Sequence, residues 1–186
     1  MHSVNGTSED AAIELVEYQS RWPSMFEAER RSIEAALAPW LCASIEHIGS
    51  TAVPGLPAKP IIDIMAPVRS LEDSMPAIQA VVSLGYLHHP YKGEVMHWFC
   101  KPSPAVRTHH LHLVPYTSAL WQERISFRQA LRGSAVLARQ YAQLKYALAA
   151  AFAHDREAYT AAKEPFIRAV LVLGNLPDVD ATWLRT

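Results

Sequence analysis

One carboxylate and two imidazoles are the residues best placed to do chemistry together. Asp63 lies in Ile61-Ile62-Asp63-Ile64-Met65-Ala66, an apolar run. An acid there is costly unless it is paired, hydrogen-bonded or bound to a metal. Strand alternation puts Ile62, Ile64 and Ala66 on one face and Ile61, Asp63 and Met65 on the other. In the later run Thr108 to Val114, the same alternation turns Leu111 and Leu113 toward a core and His110 and His112 the opposite way. A His-x-His pair on one strand face can share a metal, or act as acid, base and anion donor. The plain alternatives are an Asp63 that accepts hydrogen bonds from the loop before it, and two solvated histidines on an open sheet face.

A second group of residues suits phosphate. Gly49-Ser50-Thr51 follows the apolar Ile45 and Ile48 and offers backbone N–H groups and hydroxyls, with Pro54, Pro57 and Pro60 stiffening the return. Lys59 stands four residues before Asp63, and Lys101 and Arg107 flank the histidine run. Lys145 follows Tyr141 by one helical turn, and Lys163 follows Tyr159 in the same way. Cations at these places could neutralise a polyphosphate, with Tyr141 beside them; solvated lysines on helix faces are the competing reading. Glu46 and His47 precede the Gly-Ser turn on opposite strand faces, so only one can look toward Asp63, and parity does not decide which. Cys42 and Cys100 have no base beside them in sequence, which argues against a thiol nucleophile.

The run EHIGSTAVPGLPAKPIIDI, residues 46–64, resembles the signature of the GrpB family, formerly an uncharacterised protein family. Trp22-Pro23, Arg107-Thr108-His109-His110-Leu111-His112, Phe127-Arg128, Tyr141 to Lys145, Tyr159 to Lys163 and Phe166-Ile167 fit as well, so the resemblance spans roughly residues 14–173. That family is in turn similar to the nucleotidyltransferase superfamily, with Gly-Ser at the end of one strand and acids on the next. The resemblance implies a nucleoside triphosphate, a divalent cation (magnesium or manganese first, zinc second) and a small-molecule acceptor. Gly49 and Ser50 would hold phosphate. Asp63 would hold the metal, with His112 and Glu46 as further ligands, and His110 or His112 would replace an acid. Lys59 and Arg107 would stabilise charge on the transferring group. Some family members occur fused to dephospho-coenzyme A kinase, which implies a nucleotide-related setting.

The chain departs from the superfamily pattern at Met65, where a second acid is expected; a third would fall in the region of His110 and His112. Three outcomes fit: a single-metal transferase, a histidine-rich site for a different ion used in hydrolysis or condensation without nucleotide, or a non-catalytic ligand-binding module.

The elements that must position these groups are legible in outline. Phe26, Ile33 and Leu37 form a helical stripe that Pro39 ends, and Ser20-Arg21-Trp22-Pro23 starts it. Ser70-Leu71-Glu72-Asp73 predicts a second helix carrying Leu71, Met75, Ile78 and Val82 and closing before Gly85. Residues 86–91 and 94–100 read as a hairpin turning at Lys92-Gly93. Helices follow over 121–132, then from a Ser134 cap, then from an Asp155 cap with Pro165 kinking or dividing the last. The expected fold is α/β (α+β): a nucleotidyltransferase-like mixed sheet of about five strands, helices on one face and a helical C-terminal part. Residues 1–12 and 175–186 read as tails and 13–174 as one domain, with its sheet core over 40–116 and helical part over 117–174.

A net charge of −1 gives no global basic field, so nucleic acid is not an expected partner. No apolar stretch of about 18 residues and no leader pattern occurs, so a cytoplasmic protein without a membrane partner is the plain expectation. The compositional oddity is histidine: of nine, five fall between His88 and His110, with His112 just beyond.

Overall fold

The computed structural model describes residues 12–174. The two tails expected from composition lie outside these residues, save Ala12. Helix α1 (Trp22–Leu37) buries Trp22, Phe26, Ile33 and Leu37, the stripe read from spacing, with Pro23 in its first turn. Strand β1 (Glu46–Ile48) runs through a one-turn 3₁₀ segment (Ser50–Ala52) and a proline-stiffened loop to β2 (Ile62–Val68). Helix α2 (Ala77–Ser83), β3 (Leu87–His89), β4 (His97–Pro102) and β5 (Arg107–Pro115) complete the sheet half. Helices α3 (Ala119–Gly133), α4 (Ala135–Ala151), α5 (Arg156–Ala161) and α6 (Glu164–Gly174) follow.

The five strands form a mixed sheet in the order β1-β2-β5-β4-β3, parallel only between β2 and β5. The expected α/β architecture is therefore the observed one. Strand β2 lies inside the sheet between β1 and β5 and is buried on both faces apart from Asp63, as suits a strand with a parallel neighbour. On one face Ile62, Ile64, Ala66, Leu111, Leu113 and Phe99 pack with α1 and α2. On the other, Met65, Ile48, Trp98, Cys100 and Val114 pack against Trp121 of α3. The C-terminal helices thus roof part of the second face and leave the rest as the floor of a groove.

Two local expectations need correction. The Ser70 hydroxyl does accept the Asp73 N–H (3.0 Å), but regular α-helix begins only at Ala77. Pro76 has no N–H to continue the ladder from that first turn. The buried residues are accordingly Ala77 and Val81, while Met75 and Val82 are exposed. The hairpin strands are shorter than read, pairing Leu87 with Cys100 and His89 with Trp98, with residues 90–96 as a longer connection.

Ser134 and Asp155 cap α4 and α5 through their side chains, accepting from the N–H groups of Leu137 and Ala158. The last predicted helix is divided, and Pro165 sits in the first turn of α6, where its missing N–H costs nothing. No helix among the described residues is long and apolar enough to cross a membrane.

Candidate functional site

Sheet register assembles the site. One row of cross-strand partners reads Ile48, Asp63, His110, Cys100, Leu87. The next row on the same face reads Glu46, Met65, His112, Trp98, His89. Asp63 therefore faces His110 directly on the adjacent strand, with His112 two residues further along. His110 Nδ1 stands 2.9 Å and His112 Nε2 3.9 Å from Asp63 Oδ1. One donor atom from each of the three residues lies within 4.8 Å of the others, a spacing at which they could hold a metal ion.

The surroundings fix the orientation of these groups. His112 Nδ1 meets Met96 Sδ at 3.3 Å, and its Nε2 faces the Asp63 carboxylate. The His110 ring lies 5.2 Å from that of Trp98, and its Nε2 is buried with no hydrogen-bond partner among the described residues. Burial works to raise the Asp63 pKa, but hydrogen bonds and charge from His110 and His112 outweigh it and hold the carboxylate far below its usual range. Burial lowers the His112 pKa, with Asp63 opposing.

The three residues open on a groove of about 950 Å³ between the sheet and the C-terminal helices. Its lining holds eight Lys or Arg and three Asp or Glu, one of which, Glu164, is paired with Arg168 at 2.9 Å. A chain of net charge −1 thus concentrates its positive charge at this face. Two ammonium groups lie over the buried Tyr159 ring, Lys163 at 4.3 Å and Lys59 at 4.7 Å from its centroid. Lys145 is 2% exposed, donates to the Pro57 carbonyl and lies over the Tyr141 ring at 5.1 Å. Burial, then the charge of Lys163, brings the Lys145 pKa down to about 7; burial, then Lys59, brings Lys163 to about 8.

Most expected site residues meet here, and some do not. Asp63, His110, His112, Arg107, Ser50, Lys59, Lys145 and Lys163 all line the groove. Arg107 holds its guanidinium over Trp98 at 5.4 Å, with Nε donating to the Pro104 carbonyl at 2.8 Å. Tyr141 is buried against Phe127 and Phe166, and burial raises its pKa, with Ser50 opposing. Gly49 has φ 70° and is in close contact with the Asp63 carboxylate.

Glu46 is on the expected face, but Met65 stands between it and His112, two strand spacings or about 10 Å away. Its carboxylate is paired with Arg128 of α3 at 2.7 Å, so the expected metal role is corrected to an ion pair. Lys101 is corrected as well. It has the opposite strand parity and bonds Glu29 of α1 at 2.5 Å on the far face. Thr51 lines the groove as well, while its hydroxyl donates to the Ile61 carbonyl (3.2 Å) and contacts His47 Nε2 (3.0 Å) and so braces the loop. His47 stacks on Phe26 at 4.7 Å on the core face, which resolves the parity left open for Glu46 and His47.

Among the lining residues that carried no sequence signal as site residues are Arg124, Met96 and Trp98. Trp98 becomes readable once the β4–β5 register is known, because it partners His112. Arg124 and Tyr159 come from helices whose docking no local pattern states.

Comparison with known proteins agrees over nearly the whole chain. The GrpB protein family matches residues 12–172. A UPF0157 protein of Pseudomonas aeruginosa is 39% identical over 169 residues, covering 88% of this chain and 68% of that protein. The glutamate-rich protein GrpB of Alkalihalophilus pseudofirmus is 33% identical over 162 residues, covering 84% and 92%. The crystal structure of the conserved protein GrpB from Enterococcus faecalis superposes with a TM-score of 0.77 at 30% identity, covering 87% of this chain and 96% of that one. With the sequence run, the sheet order and these likenesses in agreement, the chain belongs to the GrpB family.

Proposed function

We propose that the groove binds a nucleoside triphosphate with one divalent cation and transfers its nucleotidyl group to a small-molecule acceptor. The observation that carries this reading is the placement of one carboxylate and two imidazoles on the floor of a cation-lined groove. The Gly-Ser turn before an acid-bearing strand, similar to that of the nucleotidyltransferase superfamily, supports it.

The donor set fits a metal. Ligand atoms 2.0–2.1 Å from one ion stand about 3.0–3.4 Å apart. The two Asp63 separations, 2.9 and 3.9 Å, bracket that range. Asp63, His110 and His112 would hold the ion, which when bound would supply positive charge to the transferring phosphate.

The chain's own groups would do the remaining work. Lys59, Lys145 and Lys163 bind the phosphate tail and offset the charge that accumulates on the leaving group. Ser50 lines the groove and offers a hydroxyl there. An acceptor oxygen forms a bond to the α-phosphorus as the bond from that phosphorus to the β-phosphate oxygen breaks. Pyrophosphate departs with the electron pair, and the acceptor proton passes to water.

The two imidazoles favour a second reading. Magnesium prefers oxygen ligands, whereas zinc and iron accept imidazole readily. With Met65 buried where a second acid would stand, a nucleotide-free metal hydrolase is the competing chemistry.

Thermal shift of the full chain against nucleoside triphosphates, each with magnesium, manganese, zinc or chelator, separates the two. A ligand at a hundredfold its Kd adds about 2.7 kcal/mol of stability. The transferase reading expects a metal-dependent shift with a triphosphate, absent in Asp63→Asn. A shift with zinc alone and none with any triphosphate would overturn it.

A further inference from the structure

Two of the cationic groups that line the groove are built on aromatic rings of different layers, Tyr159 of α5 and Trp98 of β4, and form two poles. The first is Lys59 and Lys163, both over the ring of Tyr159, with Lys163 near enough to Asp63 to feel its charge. The second is Arg107 over Trp98. Trp98 is on β4, one strand beyond the histidines and on the side away from β2. Asp63, His110 and His112, on the neighbouring strands β2 and β5, line the same groove as both poles.

The poles differ in chemistry. Ammonium groups over a ring are compact point charges with rotatable donors, suited to a flexible chain of phosphates. Arg107 is held in one orientation, by its Nε bond to the Pro104 carbonyl and by the indole face beneath it. The Nη1 and Nη2 end of the fork remains, the edge that binds a single phosphate through two parallel hydrogen bonds. A triphosphate donor uses the first pole and the Asp63 cluster and leaves the second pole without a role.

Resting on the transferase reading, we infer that the acceptor is itself a phosphomonoester, seated by its phosphate on Arg107 while the donor's phosphates occupy Lys59 and Lys163. The donor's α-phosphorus and the acceptor's reacting oxygen are then brought together over Asp63, His110 and His112. Each substrate is oriented by a charge at the end remote from the reaction, which is an efficient way to use binding energy for positioning.

Calorimetry on the full chain with manganese tests this, using inorganic tripolyphosphate for the donor and inorganic phosphate for the acceptor's anchor. Phosphate is expected to bind protein already saturated with tripolyphosphate. Arg107→Gln should weaken phosphate roughly tenfold or more, the worth of a hydrogen bond to a charged group, and leave tripolyphosphate within about twofold. Lys163→Gln should do the converse. Arg107→Lys, which keeps the charge and loses the fork, should fall between wild type and Arg107→Gln for phosphate.

Exclusion of phosphate by tripolyphosphate, or parallel weakening of both ligands in both variants, overturns the inference alone, since one long anion would then span both poles. Failure of tripolyphosphate to bind wild-type protein with manganese overturns the transferase reading and this inference with it.

Discussion

Gly49 and the Asp63 carboxylate touch: a Cβ on Gly49 would stand 3.1 Å from both Cβ and Cγ of Asp63, and nearer still to Oδ2. The backbone there has φ 70°, a region that side-chain-bearing residues rarely adopt. Gly49→Ala should therefore cost both backbone strain and displacement of the acid, about 2–4 kcal/mol together, and abolish the thermal shift with manganese or zinc. Gly55 is the control. It has φ 76° but nothing within 4 Å of its would-be Cβ, so Gly55→Ala should lose only about 1–2 kcal/mol and keep the metal shift. Equal metal binding in the two variants would detach Gly49 from the site.

His47 should make the fold acid-sensitive. Burial, with Arg132 and Arg128 adding to it and Asp63 opposing, pushes its pKa down to about 4. In the unfolded chain it titrates near about 6.5, so between these values the unfolded state takes up the extra proton. The contribution is complete above that unfolded pKa and is lost as pH falls through the folded one. At pH of about 4.5 the loss amounts to roughly 2–3 kcal/mol. Urea unfolding of wild type and His47→Gln at about pH 6.5 and 4.5 reads this as a difference in slope; parallel losses would show that His47 contributes nothing.

Glu46 and Arg128 form a structural pair. Arg128 Nη1 reaches both the Glu46 carboxylate and the His47 carbonyl at 2.7 Å, tying α3 to β1. Arg128→Met should cost about 3 kcal/mol, because it removes one partner of a largely buried ion pair. Glu46→Gln should leave the manganese and zinc shifts of the folded protein unchanged. A lost metal shift in Glu46→Gln would return Glu46 to the ligand set.

Lys101 should matter for stability and not for anions. Its partner Glu29, with a side chain only 14% exposed, also accepts from the Tyr86 hydroxyl at 3.0 Å. Lys101→Met strands that carboxylate and should lower stability by about 2 kcal/mol in chemical denaturation, with tripolyphosphate affinity within about twofold of wild type. A tenfold loss of affinity would place Lys101 in the groove.

The sequence by itself determined the features that depend on neighbours along the chain. Strand period put Asp63, His110 and His112 on faces opposite Ile62, Ile64, Leu111 and Leu113, and helical period marked the Phe26, Ile33, Leu37 stripe. Cap residues Ser134 and Asp155 marked where α4 and α5 begin. These are local steric and hydrogen-bonding preferences, so they can be read before the chain is folded. Tertiary structure alone decided which strands are neighbours. Asp63 meets His110 only because β5 inserts beside β2, far along the chain, while Glu46, on the same face, falls two strands from His112 and turns to Arg128. Lys101 was misread for a related reason: its place beside the histidine run says nothing of parity, which β4–β5 pairing sets. The docking of α3, α5 and α6 over the sheet brought Arg124 and Tyr159 to the groove, an outcome of long-range packing and loop closure that no short pattern encodes.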